Sequence, residues 1–196
     1  MTNTTKLTLD DIADLRAYER EREAFRAHII DLKTRRRVHV GPFVTFVFEN
    51  RDTIRFQIQE MARVEKTISD EGIETELRIY NPLVPDPGHL AATLFIELTS
   101  EDELREWLPK LVGLQHHVAI EAAGVASPAS EIDEERLTRE DEITTTVHYL
   151  RFTFTPEQQA AFADGPVVLR IDHPAYQAAA ELGPETRASL ATDLAG

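Results

Sequence analysis

The sequence predicts an α+β protein, with a mixed or largely antiparallel sheet of about five strands, helices mainly on one side, and a long helix at the N-terminus. Three observations predict it. Of the 196 residues, 42% are hydrophobic and 29% charged, enough apolar material for a sizeable core and too much for a disordered chain. Runs rich in β-branched and aromatic residues recur along the chain, separated by segments whose apolar residues repeat at helical spacing. Two of the links between those runs are single short helices, as in a mixed or antiparallel sheet.

Taken in order, Thr8 with Asp11 opens a helix over residues 9–34 in the manner of a capping box, and Ile12, Leu15, Phe25, Ile29 and Leu32 give it an interrupted apolar stripe. Its middle is nearly all charge: Arg16, Glu19, Arg20, Glu21, Arg22, Glu23 and Arg26. Such a segment pairs along its own surface, so residues 1–36 are expected to form an arm that projects from the body or packs against a second copy, giving a homo-oligomer. Gly41-Pro42 then punctuates, and residues 43–48 are a continuous apolar run, as in a central strand covered on both faces. Asn50 caps a helix over residues 51–68 whose stripe is Ile54, Ile58, Met61, Val64 and Ile68, with Gln57 and Glu65 on the same face. A short helix over residues 73–80 stops at Asn81-Pro82, and Pro82, Pro85, Pro87 and Gly88 make a rigid loop.

Residues 92–98 read as a strand, Ser100 with Glu103 opens a helix, and residues 117–121 read as a strand, a β-α-β order. From 122 to 142 the composition turns small and charged, which marks a linker dividing an α+β domain of residues 37–196 into two subdomains. Residues 144–154 form a long strand. Thr155, Pro156 and Gln158 supply an N-cap, a proline at the first helical position and a capping glutamine for a helix reaching Phe162. A strand over 167–171 and a helix over 184–194 complete the chain, and no internal repeat is found.

Charge and composition exclude several function classes. The chain has no cysteine, so disulfides, thiolate metal sites and cysteine nucleophiles are ruled out. It holds no run of about 18 apolar residues, and residues 1–10 are polar, so neither a membrane span nor a secretory signal is expected and the protein is placed in the cytoplasm. A formal charge of -14 repels phosphate backbones, which disfavours nucleic acid as a partner. The excess is uneven: residues 1–66 hold 13 Lys and Arg against 11 Asp and Glu, the remainder 8 against 24. The densest basic run is Lys33, Arg35, Arg36 and Arg37. It complements the dipole at a helix C-terminus or, in the alternative, receives a phosphate or carboxylate.

No dinucleotide fingerprint, P-loop, nucleophile elbow, HExxH, calcium loop or Glu-x-x-His pair occurs, so any site is assembled from separated residues. Strand parity is the main handle, because alternate side chains share a face. His148 alternates with Leu150 and Phe152, and His173 with Leu169 and Ile171, so both imidazoles point to the buried side and require a carboxylate, a backbone group or a metal there. Glu49, Glu60, Glu65, Glu97 and Asp172 are the carboxylates at hand. Glu49, Glu60, His148 and His173 together would suit a divalent transition metal, iron, manganese or zinc. In the competing reading the histidines are ordinary hydrogen-bonded core residues. Arg51 and Arg55 lie four apart near a helix start and Arg151 on a strand, so they hold a small anion or pair with Glu49 and Glu60.

The strings FENRDTIRFQIQEM from Phe48, YNPLVP from Tyr80, HLAATLFIEL from His89, VHYLRF from Val147 and IDHPAY from Ile171 resemble a bacterial family of domains of unknown function, the 3501 family. The resemblance spans almost the whole chain. It implies no established activity, only a setting beside rubrerythrin-like and iron–sulfur oxidoreductase proteins, hence an accessory role in a redox, oxidative-stress or iron-handling system with such a protein as partner. The matching polar positions are Glu49, Asn50, Arg51, Gln57, Gln59, Glu60, Glu97, His148, Arg151, Asp172 and His173, of which Arg51, Gln57 and Arg151 are the expected contacts of a small anionic ligand. The alternative is a non-catalytic protein–protein interaction module, and no motif marks the chain as an enzyme.

Overall fold

The structure, a computed structural model, describes residues 6–67, 69–132 and 143–196. The capping box of Thr8 and Asp11 closes only a short 3-10 turn, Leu9–Asp11. The Asp14 side chain then accepts from the Ala17 amide and starts α1 (Leu15–Arg36), because a carboxylate in extended geometry captures the first free N–H groups of a helix. Strand β1 (Arg37–Val40) follows with no intervening loop and was not expected. It pairs with β2 (Val44–Glu49) across the turn at Gly41. Gly41 has φ +76°, and a Cβ there would lie 2.5 Å from the Tyr176 hydroxyl, so both the turn and this close approach demand glycine.

Asn50 and Thr53 form a reciprocal cap on α2 (Arg51–Glu65). The helix ends at Lys66 in the left-handed region, three residues before the expected stop, and Ile68 lies outside the described residues. Next come α3 (Asp70–Tyr80), β3 (His89–Ile96), α4 (Glu101–Trp107), β4 (Val118–Ala122), β5 (Val125–Pro128), β6 (Ser130–Glu131) and β7 (Val147–Thr153). The chain closes with α5 (Pro156–Asp164), β8 (Val167–His173), β9 (Tyr176–Glu181) and α6 (Pro184–Ala195). Thr155, Pro156 and Gln158 cap α5 as the sequence requires. The region marked as a linker carries β5 and β6 as far as Glu131, while residues 133–142 lie outside the described residues.

The α+β class, the antiparallel pairing and the long N-terminal helix are as expected. The strands, however, divide between two antiparallel sheets, ordered β1-β2-β3-β7-β6 and β5-β4-β8-β9. Neither the expected β-α-β order nor the later strand–helix–strand order makes a β-α-β unit. In β3–α4–β4 and again in β7–α5–β8, the chain leaves the first sheet and enters the second. A single core joins the sheets: Phe46, Phe48, Leu94 and Phe152 from the first meet Ile120, Leu169 and Ile171 from the second, with Phe162 and Leu190 from α5 and α6. The opposite face of the first sheet is covered by helices. Ile54, Ile58, Leu77 and Leu83 form a second, smaller cluster there, against which Tyr149 packs. Helix α1 lies on α2, β2 and α6 rather than standing away from the body. No helix among the described residues is long and apolar enough to cross a membrane.

Candidate functional site

The first sheet is covered on both faces, so side-chain parity decides which environment each residue enters. Even-numbered residues of β2, β3 and β7 enter the shared core; odd-numbered ones face the helices. Register places Val47, Thr93 and Tyr149 in one row across three strands, and Glu49, Ala91 and Arg151 in the next. Between this face and the helices lies a cavity of about 220 Å³. Its polar lining is Lys33, Glu49, Gln57, Tyr80, Thr93 and Tyr149, and its apolar walls are Ile54, Leu83, Phe95 and Val147. That mixture of a greasy body and a few convergent polar groups is typical of small-ligand sites, and the volume admits a metabolite-sized molecule.

Glu49 is the decisive group. It is 7% exposed, and its carboxylate accepts one hydrogen bond, from the Thr93 hydroxyl at 2.7 Å. Among the described residues it has no cationic partner. Burying a carboxylate is costly unless a counter-charge or several donors compensate it. Lys33, on the same cavity, likewise makes no ion pair among the described residues. Charged groups left unmatched beside an internal space are what a binding site for a polar ligand requires.

The four expected metal ligands are not brought together. His148 sits on the core face of β7, where its Nε2 bonds Thr144 Oγ1 and its Nδ1 bonds Glu131 Oε1, each at 3.1 Å. Glu49 is on the opposite face of the same sheet. His173 belongs to the second sheet; its Nε2–H donates to the Val112 carbonyl at 3.1 Å and its Nδ1 accepts from the Ala175 amide. Backbone groups thus use both ring nitrogens. Glu60 faces α1, not the sheet. It binds Arg22 through both carboxylate oxygens, at 2.8 and 3.0 Å, and accepts from the Tyr18 hydroxyl at 2.7 Å. No group of three or more His, Cys, Asp or Glu side chains among the described residues is arranged to hold a metal ion.

Of the expected anion contacts, only Gln57 lines the cavity. Arg51 pairs with Asp11 at 2.6 Å, and Arg151 donates to the Pro82 carbonyl at 3.1 Å. Arg55 binds Glu21 and the Asp11 carbonyl and lies over the Phe25 ring. The charged middle of α1 is therefore spent largely on α2, through Glu21 with Arg55 and Arg22 with Glu60.

This α1–α2 seam has a pH signature. The Arg22 guanidinium, with help from Tyr18 and Arg63 and against the opposing effect of burial, holds the Glu60 carboxyl at about 2 from an ordinary 4.5. A carboxyl lowered on folding stabilises fully above its unfolded value and ceases to do so as pH falls through its folded value. Discounted for partial exposure, the contribution is on the order of 2 kcal/mol. In urea titrations the wild type is expected to lose that amount between pH 5 and pH 2, and Glu60→Gln to lack this component of the acid dependence.

Lys33, Tyr80, Thr93 and Tyr149 were not expected at the site. A signal for one of them exists: Thr93 is the single polar residue in the apolar run 90–96, and parity puts Glu49, Thr93 and Tyr149 each on the face opposite the core residues of its strand. Their meeting with Lys33 and Tyr80 depends on helix placement that parity does not contain.

The family described as Protein of unknown function (DUF3501) matches residues 6–194. No curated protein matches the chain. A crystal structure described as a novel protein of unknown function from Burkholderia pseudomallei is similar at 39% identity and a TM-score of 0.89, covering 96% of this chain and 99% of that one.

Proposed function

The chain belongs to the DUF3501 family of proteins of unknown function, and from that premise we propose that it binds a small organic molecule in the cavity between the first sheet and the helices. The ligand presents an amine, or another strong hydrogen-bond donor, to Glu49. Its short apolar body lies against Ile54, Leu83, Phe95 and Val147. The observation that supports this reading is a carboxylate 7% exposed that borders the cavity and, among the described residues, has a single hydroxyl as donor. A protein that only needed stability would place an apolar side chain there, since buried polar groups without full partners cost about 1–3 kcal/mol each. The redox or iron-handling role implied by the resemblance finds no cluster of ligating side chains among the described residues, so ligand binding alone is proposed.

n-Hexylamine is a suitable probe, because it combines a cationic head with an apolar chain small enough for the cavity. Titrated into the protein and followed by amide chemical shifts, it is expected to saturate and to move the resonances of Thr93 and Tyr149. Glu49→Gln, which keeps the shape and removes the charge, is expected to weaken binding about tenfold or more. Absence of saturable binding, or equal affinity in the variant, would overturn the reading.

A further inference from the structure

Helix α1 roofs more than the cavity. On its other side, between α1 and the outer strand β1, runs a more open groove of about 530 Å³ lined by Ile30, Lys33, Thr34, Arg37 and His39. Ile30, Lys33 and Thr34 share one helical face. Arg37 and His39 are the two exposed residues of β1, and they pair in register with Val47 and Thr45 of β2. The groove and the cavity are thus successive stretches of one sheet surface, and Lys33 borders both.

The groove's charged lining is cationic. Arg37 gives one nitrogen to Glu97 at 3.3 Å and keeps 42% of its side chain exposed, so the rest of its fork of donors is available. Thr45 donates its hydroxyl hydrogen to Glu97 at 2.7 Å, so its oxygen must accept from His39 Nδ1, at 2.9 Å. That bond leaves Nε2 of the neutral ring an acceptor, which takes a hydrogen bond from a protonated phosphate or a bridging water but gives none to an anion, so Arg37 is the group that binds the anion directly. Lys33 makes no ion pair with any described residue. A buried carboxylate at one end of a continuous surface, an unmatched lysine midway and the half-exposed Arg37 guanidinium at the other end match a ligand of the reverse polarity.

Building on the cavity reading, we propose that the ligand is amphoteric: a donor head held by Glu49, an apolar spacer, and an anionic group, carboxylate or phosphate, that passes Lys33 and lies in the groove against Arg37 and His39. The same chemistry explains why Lys33 need not pair with Glu49: each would neutralise a different end of one molecule.

The test compares three probes of equal spacer length, n-hexylamine, 6-aminohexanoate and 6-aminohexyl phosphate, by calorimetric titration at low ionic strength. One or both anionic probes are expected to bind the wild type about tenfold more tightly than hexylamine, and which of the two gains more identifies the anion. In the double variant Arg37→Gln/His39→Gln the ratio of anionic probe to hexylamine is expected to fall to about one. Using the ratio keeps the result independent of any loss of folded protein. Equal affinities for all three probes in the wild type, or a gain that survives in the double variant, would refute the anionic end and leave the cavity reading standing. Failure of hexylamine itself to bind would remove the cavity reading, and this inference with it.

Discussion

Asp193→Ala is expected to lower the unfolding free energy by about 3–5 kcal/mol, read as a shift of the urea midpoint at unchanged slope. Arg36, the last residue of α1, is fully buried, and its guanidinium reaches Asp193 of α6 through both terminal nitrogens while Nε donates to the Phe48 carbonyl at 3.2 Å. Three elements distant in sequence, α1, β2 and α6, meet at this one side chain. Burial pushes the Asp193 carboxyl above its ordinary value in spite of the adjacent guanidinium. A carboxyl raised on folding contributes most below its unfolded value and less as pH rises through its folded one, so the ionised pair is not itself a strong stabiliser. The cost of the single substitution comes from the arginine left buried and unmatched. Arg36→Met with Asp193→Leu is accordingly expected to recover most of the loss, because neither charge is then taken out of water. A double variant as unstable as Asp193→Ala would show that the pair stabilises directly.

His148→Ala is expected to cost about 2–4 kcal/mol, from a cavity in the core face of β7 together with an orphaned carboxylate. The Glu131 side chain is 3% exposed and the His148 side chain fully buried, so the carboxylate has no water to turn to when the imidazole is removed. Thr144 and Glu131, on either side of residues 133–142, both hold this one ring. Amide exchange in β6 and at residues 144–147 is expected to accelerate in His148→Ala by more than global destabilisation accounts for, and an increase matching the global loss alone would deny the ring its bracing role. Metal content is expected to be the same in this variant as in the wild type, because the imidazole serves a carboxylate and a hydroxyl.

Legibility in the sequence was uneven, and the reason differs by residue. The N-caps at Asn50, Ser100 and Thr155 were readable because capping is a contest among residues three apart. Strand β1 leaves no mark in the sequence because its four residues, RVHV, follow a helix without a turn signal and alternate too briefly to register as a period. Strand parity puts His148 on the buried side but does not reveal its partner, because Glu131 lies in a stretch whose composition reads as a connection. Glu60, expected with Glu49 among the metal ligands, is turned by its own helix toward α1, where it meets Arg22, 38 residues away in sequence. Of the residues expected at the site, Glu49 and Gln57 line the cavity.

The amino-acid order alone determined the caps, the parity of each strand and, through the alternation of strand and helix patterns, the class of fold, since all of these follow from interactions within a few residues of chain. The tertiary structure alone decided that the strands fall into two sheets, that α1 folds down onto α2, and that Glu49 borders a cavity while His148, His173 and Glu60 are each satisfied elsewhere. Those outcomes depend on which distant surfaces exclude water together, and side chains far apart along the chain carry no local mark of the neighbour they will meet.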